Sequence, residues 1–356
     1  MSILVNRDVS TYVRSPGGGW TVNRELLARA RAGDGQAFAE LVDPFRRELH
    51  VHCYRMLGSA QDAEDALQET LLAAWQGLRG FEEHASMRTW LYRIATSRCL
   101  NARRSASRRP KAGPSVGFDL PEPSGLGEVV WLQPYPEQFL EELPGGAAGP
   151  EAHYEAREAV SLAFITAVQL LPARQRAVLI LRDVLGYTTH EVAAMLETTE
   201  QATASALKRA RATLRREVGP SRHQLPPPAP NSPAERKLVA EFTRAYATAD
   251  VQRLINLLTD DVELVMPPWP FQYRGRGPAA QFHTAVTFRE GRTYRLIPTR
   301  ANGQPAFALY TRDPHARVLH ANGLMVLTLA GDHISALTRF DNSVLPTFGL
   351  PRSLPG

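Results

Sequence analysis

One stretch of this sequence restricts the chain more than any other. From Leu170 to Arg216 it runs Leu170-Leu171-Pro172, continues with apolar residues at helical spacing through Val178, Leu181 and Leu185, and reaches Gly186-Tyr187. Pro172 suits a first helical turn, where its missing N–H forfeits no hydrogen bond. Gly186 ends that helix. Thr189 opens a short helix whose apolar face is Val192, Ala193 and Leu196, Glu197-Thr198 is left as a tight turn, and Thr199 caps the next helix. The pattern is that of a helix-turn-helix. Its last helix carries Lys208, Arg209, Arg211, Arg215 and Arg216 against one acid, Glu200, in the first turn. Such a helix can enter a DNA major groove, with N-terminal side chains on base edges and basic residues on phosphates. Lys and Arg also favour helix C-termini for their own sake, so the basic run alone decides nothing.

At 356 residues and 44% hydrophobic content the chain has material for two or three domains with real cores. Its net charge of +5 permits an anionic partner without requiring one. Cys53 and Cys99 are the only cysteines, which excludes a disulfide framework and a cysteine-built metal site. They read as small buried apolar residues in a reducing cytoplasm, and no metal or cofactor is expected. No apolar run approaches a membrane span, and Met1 to Thr21 lacks the basic start and apolar core of a signal peptide. The expectation is a soluble cytoplasmic protein with no membrane contact.

Residues 1–22, with Ser15-Pro16-Gly17-Gly18-Gly19, show no sustained periodicity and read as a flexible leader. From Asn23 to about Ser107 the spacing predicts nearly continuous helix, broken at Gly33-Asp34-Gly35, Gly58-Ser59 and Arg79-Gly80. Between Asp62 and Trp75, Ala63, Ala66, Leu67, Leu71, Ala74 and Trp75 form a buried face. Asp62, Glu64, Asp65, Gln68 and Glu69 leave an acidic surface that could dock on a basic partner, although most acidic helix faces are merely solvated. Between Phe81 and Lys111 eight basic residues face two acidic ones and interleave with Trp90 and Tyr92. Single-stranded nucleic acid asks for this mixture, since phosphates need cations and unstacked bases need flat partners. Trp90 and Ile94 are expected on the core side of that helix.

From Ala112 to about Glu151 the chain has the Pro and Gly of a linker, and nine acids face one base, Arg157, between Ala112 and Glu158. An extended acidic tether avoids the protein's own DNA site. Trp131 and Tyr135 suggest that part of it docks. Pro226-Pro227-Pro228-Ala229-Pro230 is a stiff spacer that marks a boundary. After it come helices through Leu238–Ala249 and Leu254–Leu258, a strand at Val262–Met266, a helix over Pro278–Val286, and strands near Tyr294–Arg300, Pro305–Thr311, Val318–Leu329 and His333–Phe340. Helices followed by a long antiparallel sheet indicate α+β. Acid–base chemistry there would need a carboxylate or His inside an apolar pocket. The candidates are His283, His320, Asp341 and Tyr310, with Trp269, Phe271, Tyr273 and Phe288 as walls, though a buried His or aromatic is more often plain core.

Together these stretches resemble the extracytoplasmic-function (ECF) group of the bacterial RNA polymerase sigma-70 family. Asp62-Ala63-Glu64-Asp65-Ala66-Leu67-Gln68-Glu69 through Trp75 is similar to the region-two core-binding helix, and Met87-Arg88-Thr89-Trp90-Leu91-Tyr92-Arg93-Ile94-Ala95 to the promoter-melting segment after it. Leu171-Pro172 with Gln175-Arg176, and Gly186-Tyr187 with Glu191-Val192-Ala193, resemble region four. The resemblance implies that Asp62, Asp65, Gln68 and Glu69 contact core RNA polymerase at the beta-prime clamp, with the beta flap as a second contact. It implies that Arg88, Trp90, Arg93, Arg98, Arg103 and Arg104 bind and open the minus-ten element of promoter DNA. Gln201, Thr203, Ser205, Lys208 and Arg209 would face the minus-thirty-five element. Many ECF factors carry a basic residue early in that recognition helix, and Glu200 to Ala206 has none.

The C-terminal element order and the Trp269 to Gly275 stretch are similar to the SnoaL-like, nuclear-transport-factor-like cone fold. Sigma factors with such a tail form an ECF subset, which implies an extra domain that modulates activity by contact with the sigma domains. The expected organisation is a leader (1–22), region two (23–107), an acidic linker (108–152), region four (153–218), a Pro-rich spacer (219–232), a SnoaL-like regulatory domain (233–345) and a tail (346–356). The fold class is thus two all-α domains plus an α+β cone. A ligand-sensing pocket for a small molecule, formed by Trp269, Tyr273, His283, His320 and Asp341, ranks behind regulatory contact, and catalysis ranks last. Two other readings remain at this point: a helix-turn-helix regulator acting without core polymerase, and a cone-fold isomerase or hydrolase fused to a DNA-binding module.

Overall fold

The computed structural model describes residues 12–14, 20–22, 24–83, 85–106, 120–127, 132–140, 159–218, 225–312 and 317–356; the side chains of 12–14, 20–22, 103–106 and 217–218 lie outside that description. Within the expected leader, β1 (Tyr12–Arg14) pairs antiparallel with β2 (Trp20–Val22). Trp131 and most of the acidic tether lie outside the described residues.

Four helices form the first unit: α1 (Arg24–Arg31), α2 (Gly35–Leu57), α3 (Ala60–Gly77) and α4 (Met87–Ala106). Their ends fall where the sequence punctuates. The Asp34 carboxylate accepts from the N–H groups of Gln36 and Ala37 and starts α2. Gly58, at φ 74°, ends it with an N–H returned to the Tyr54 carbonyl. Ser59 then caps α3 through the Asp62 N–H. Ala63, Ala66, Leu67, Leu71 and Ala74 are buried as expected, while Trp75 is half-buried against Phe38. Cys53 and Cys99 are free thiols in this core.

The second unit comprises α5 (Leu162–Gln169), α6 (Ala173–Leu179), α7 (Thr189–Met195) and α8 (Glu200–Val218), with one π turn, Ile180–Val184, prolonging α6. The cap of α7 is Thr188, in a reciprocal box with Glu191, one residue before the expected start. Glu197, at φ 51°, makes the turn into α8, and Thr199 Oγ1 accepts the Ala202 N–H. Arg176 is fully buried and welds the two units together. Its guanidinium donates to the carbonyls of Val168, Gln169 and Leu171 at the end of α5, to Gln169 Oε1, and to the Met56 carbonyl of α2 at 2.6 Å.

The C-terminal part places α9 (Pro233–Ala247), α10 (Val251–Asn256) and α11 (Arg276–Phe282) against a sheet of β3 (Gly125–Leu126), β4 (Leu258–Val265), β5 (Phe271–Arg274), β6 (Tyr294–Ala301), β7 (Gln304–Arg312), β8 (Val318–Ala330), β9 (His333–Phe340) and β10 (Ser353–Pro355). The strand order is β3-β5-β4-β9-β8-β7-β6, with β10 on β8. The sheet is not wholly antiparallel, because β4 lies parallel to β9. Strand β4 begins at Leu258, four residues before the expected Val262, so Asp260 and Asp261 are strand residues with side chains in solvent.

Both faces of β7 are covered. Phe307 and Leu309 join the core under α9 to α11, whereas Ala306, Ala308 and Tyr310 join the continuous core of the helical units. Small and large residues alternate because one face meets the domain's own helices and the other meets another domain. The 346–356 segment is no loose tail, since Leu354 pairs with Leu319. Nor is the linker a free tether where it is described. Leu132, Tyr135 and Leu140 are buried, and Gly125-Leu126 adds an edge strand to β5.

Candidate functional site

Three helices hold the residues expected to make contacts, and a hairpin tip adds one that the sequence reading did not single out. On α3, Asp65, Gln68 and Glu69 are exposed, and Asp62 is half-buried in the first turn, where its charge suits the helix dipole. Leu72, 58% exposed, continues the same stripe one turn on. Sequence reasoning missed it, although an apolar residue on an otherwise polar face was there to be seen. The stripe thus joins three exposed polar side chains to one exposed leucine.

On α4 two of the cations, Arg88 and Arg93, are engaged. Arg88 forks onto both Glu48 carboxylate oxygens at 3.0 Å, lies over the Tyr92 ring and reaches Tyr187 Oη of the second unit at 3.4 Å. Burial pushes the Glu48 carboxyl up against the pull of Arg88. Arg93 pairs with Glu197 in the turn before α8 at 2.9 Å. Arg88 and Arg93 therefore both reach residues of the second unit here, Arg88 half-buried and Arg93 still exposed. Trp90 is half-buried beside Phe81, as its core-side expectation required. It lines a cleft of about 1160 Å³ together with Arg93, Arg98, Arg174 and Leu196. Helix α4 runs through Arg103 and Arg104, whose side chains are outside the described residues.

On α8, Gln201, Ser205, Lys208 and Arg209 are exposed on the outer side. Thr203 is not among them. It is 1% exposed and bonds back to the Thr199 carbonyl, so its DNA-facing assignment is corrected. Position 203 falls on the packed stripe with Ala210, seven residues on. Arg211 forks onto Asp183 at 2.9 and 2.7 Å and fixes α8 to the end of α6.

The tip of the β6–β7 hairpin was not singled out in the sequence. Asn302 and Gly303 take φ of 55° and 73°, the pair of left-handed residues that a tight hairpin needs. Asn302 is 1% exposed. Its amide donates to Tyr54 Oη of α2 at 2.9 Å and to the Val160 carbonyl, at the entrance to the second unit, at 2.7 Å. Its side-chain oxygen accepts the Tyr135 N–H of the linker, and its own N–H donates to the Tyr135 carbonyl. Gly303 N–H adds Glu137 Oε2. One residue of the C-terminal domain thus joins both helical units and the linker.

Residues 41–109 match the Sigma-70 region 2 family and residues 161–214 the Sigma-70, region 4 family. Across 333 residues, 92% of this chain and 86% of the relative, the sequence is 40% identical to the ECF RNA polymerase sigma factor SigG of Mycobacterium tuberculosis. The chain belongs to the ECF sigma factors. The ECF factor SigM of the same species is 32% identical over 197 residues, 55% of this chain and 85% of that one. The crystal structure of the Mycobacterium tuberculosis extracytoplasmic-function sigma factor SigJ shares the fold, with a TM-score of 0.55 and 23% identity over 86% of this chain and 97% of that one.

The C-terminal domain of this sigma factor packs helices against one mixed sheet, as the expected α+β class requires, and only part of its expected pocket lines a cavity. Trp269 and Asp341 do line it, a space of about 250 Å³ at one end of the domain. Tyr273 is fully buried and donates to the Pro121 carbonyl of the linker. His283 is buried, donates from Nδ1 to the Ala279 carbonyl and meets Tyr246 Oη at 2.9 Å through Nε2. Burial pushes its pKa down to about 4, so it is neutral and fully partnered. His320 lies exposed on β8 beside Ser353 of β10. These three are corrected to structural positions, because the cavity wall is set by which strands meet at that end.

Among the described residues no group of His, Cys, Asp and Glu has metal-site geometry, and no helix is long and apolar enough to cross a membrane.

Proposed function

We infer that this sigma factor binds core RNA polymerase and directs promoter-specific transcription initiation, and that its C-terminal domain holds the two DNA-reading units closed until core enzyme engages them. The observation that carries this reading is Asn302, hydrogen-bonded to Tyr54, Tyr135 and Val160 at once. Asp62, Asp65, Gln68, Glu69 and Leu72 form the surface offered to the beta-prime clamp, and region four meets the beta flap. Once the units part, Arg88, Trp90, Arg93, Arg98, Arg103 and Arg104 serve the minus-ten element. Gln201, Ser205, Lys208 and Arg209 serve the minus-thirty-five element. Arg88 and Arg93 exchange protein carboxylates for phosphates, a trade that salt weakens. The chain supplies no catalytic group, and nucleotide transfer belongs to the polymerase. In support, His283 has both ring nitrogens occupied, and the Asp341 carboxylate is exposed and caps a helical turn through the Ser343 N–H. A helix-turn-helix regulator acting without core polymerase leaves the α3 stripe without a partner.

Run-off transcription with core polymerase from the source bacterium tests the reading, comparing the natural chain with Asn302→Asp. Aspartate keeps the size and tolerates the left-handed turn, but it cannot donate to Val160 or Tyr54. Severalfold more specific transcript from the variant is the expected result. A folded variant with equal or lower output overturns the clamp, and no specific transcript from either chain overturns the sigma assignment.

A further inference from the structure

The cavity of about 250 Å³ in the C-terminal domain has a chemistry that the closed arrangement does not use. Its walls include Met266, Trp269, Phe282, Tyr294 and Phe340, an apolar and largely aromatic lining. The lining also includes Arg289, Arg292 and Arg339 against a single acid, Asp341. The acid is already used, with one oxygen accepting the Ser343 N–H. Arg339 is held by the carbonyl and side-chain oxygens of Asn322, and Arg289 pairs with the adjacent Glu290 at 3.3 Å. Arg292 stands exposed at the mouth with no ion pair among the described residues. An aromatic space with an excess of cations in its lining selects an apolar molecule with an anionic end.

The linker covers this space. Leu120 lines the cavity, and the residues after it are anchored to β5 through Tyr273 Oη on the Pro121 carbonyl, Arg274 N–H on Ser124 Oγ and the short β3 pairing. We propose that the cavity is a binding site for a small aromatic or aliphatic carboxylate, with Leu120 of the linker as its lid. The volume lies just below the ~300–1,000 Å³ usual for small-molecule sites, which fits a ligand of one or two fused rings. Binding stands independently of the transcriptional reading. The consequence that occupancy shifts the linker and loosens the closed state rests on that reading.

Calorimetric titration of the full chain with 2-naphthoate, its neutral 2-naphthamide counterpart and cationic 2-naphthylmethylammonium tests the site. The carboxylate is expected to bind about tenfold or more tighter than the amide, with the cation weakest. Arg292→Gln, a surface change, should remove most of that preference and leave amide binding unchanged, and Leu120→Ala should weaken both. Equal binding of carboxylate and amide, tighter binding of the cation, a preference unmoved by Arg292→Gln, or no binding of any probe at millimolar concentration overturns the proposal. Because no outcome is read through transcription, failure of the site and failure of the clamp are distinguishable.

Discussion

Helices α3 and α4 are neighbours in one bundle, yet they present their functional faces in opposite states. The α3 stripe of Asp65, Gln68, Glu69 and Leu72 is open to solvent. On α4, Arg88 and Arg93 are turned onto Glu48, Tyr187 and Glu197, the last two from the second helical unit. Under the proposed function, a chain in this arrangement meets core polymerase before it meets DNA. The difference arises because nothing among the described residues covers the outer stripe of α3, whereas α4 meets region four, held there by buried Arg176 and by Asn302.

The largest effect is expected from Arg176→Ala, which takes the guanidinium donor from the buried carbonyls of Met56, Gln169 and Leu171, while the Val168 carbonyl keeps the Leu171 N–H. Unsatisfied buried acceptors cost roughly 1–3 kcal/mol each, so denaturant unfolding should show a loss of at least ~3 kcal/mol for the helical half. A loss under ~1 kcal/mol breaks the idea that the units are welded at this point. On the open side, Asp65→Ala with Gln68→Ala should reduce affinity for core polymerase by about tenfold or more with unfolding unchanged, as should Leu72→Glu alone. Native affinity in both variants would remove α3 from the interface.

Acid should act on the closed side through His52. It is fully buried under α4 with Nε2 against Thr96 Oγ1 at 2.9 Å, and burial pushes its pKa from 6.5 down to about 3. The unfolded state therefore binds the extra proton first. Stability from this group is fully present above about 6.5 and falls as pH drops toward about 3. His283 behaves alike, from 6.5 down to about 4. Melting temperature followed from pH 7 to 4 should decline, and His52→Gln should flatten the decline; an unchanged slope would show that His52 is not the titrating group. The smallest effect belongs to Arg93 with Glu197, both well exposed. Glu197→Gln should alter stability by at most ~1 kcal/mol. It should nonetheless free Arg93 and modestly raise affinity for a single-stranded promoter fragment, read by fluorescence anisotropy at low salt.

Much of the fold was legible because its signals are local. Asp34, Gly58, Ser59 and Thr199 stop or start helices through bonds to residues at most four positions away. The His333–Phe340 strand was readable from its residue pattern alone. The short β5 was read only as a run of aromatics, because four residues carry too little alternation to declare a strand. In the site, the exposure of Gln201, Ser205, Lys208 and Arg209 was correctly read while Thr203 was not, since a polar residue on a helix does not announce which stripe the next helix covers. The Asn302-Gly303 dipeptide was a readable turn signal, but its bond to Tyr54 spans 248 positions.

The sequence by itself determined the two helical units, the order of strands along the chain and the acidic stripe on α3, since caps, turn residues and hydrophobic period act within a few residues. Only the tertiary structure decided that α4 is covered and α3 open, that the last residues close the sheet as β10, and that three of five expected pocket residues lie elsewhere. Those outcomes depend on which distant surfaces meet, and the free energy of such a meeting belongs to a pair of surfaces that no local pattern encodes.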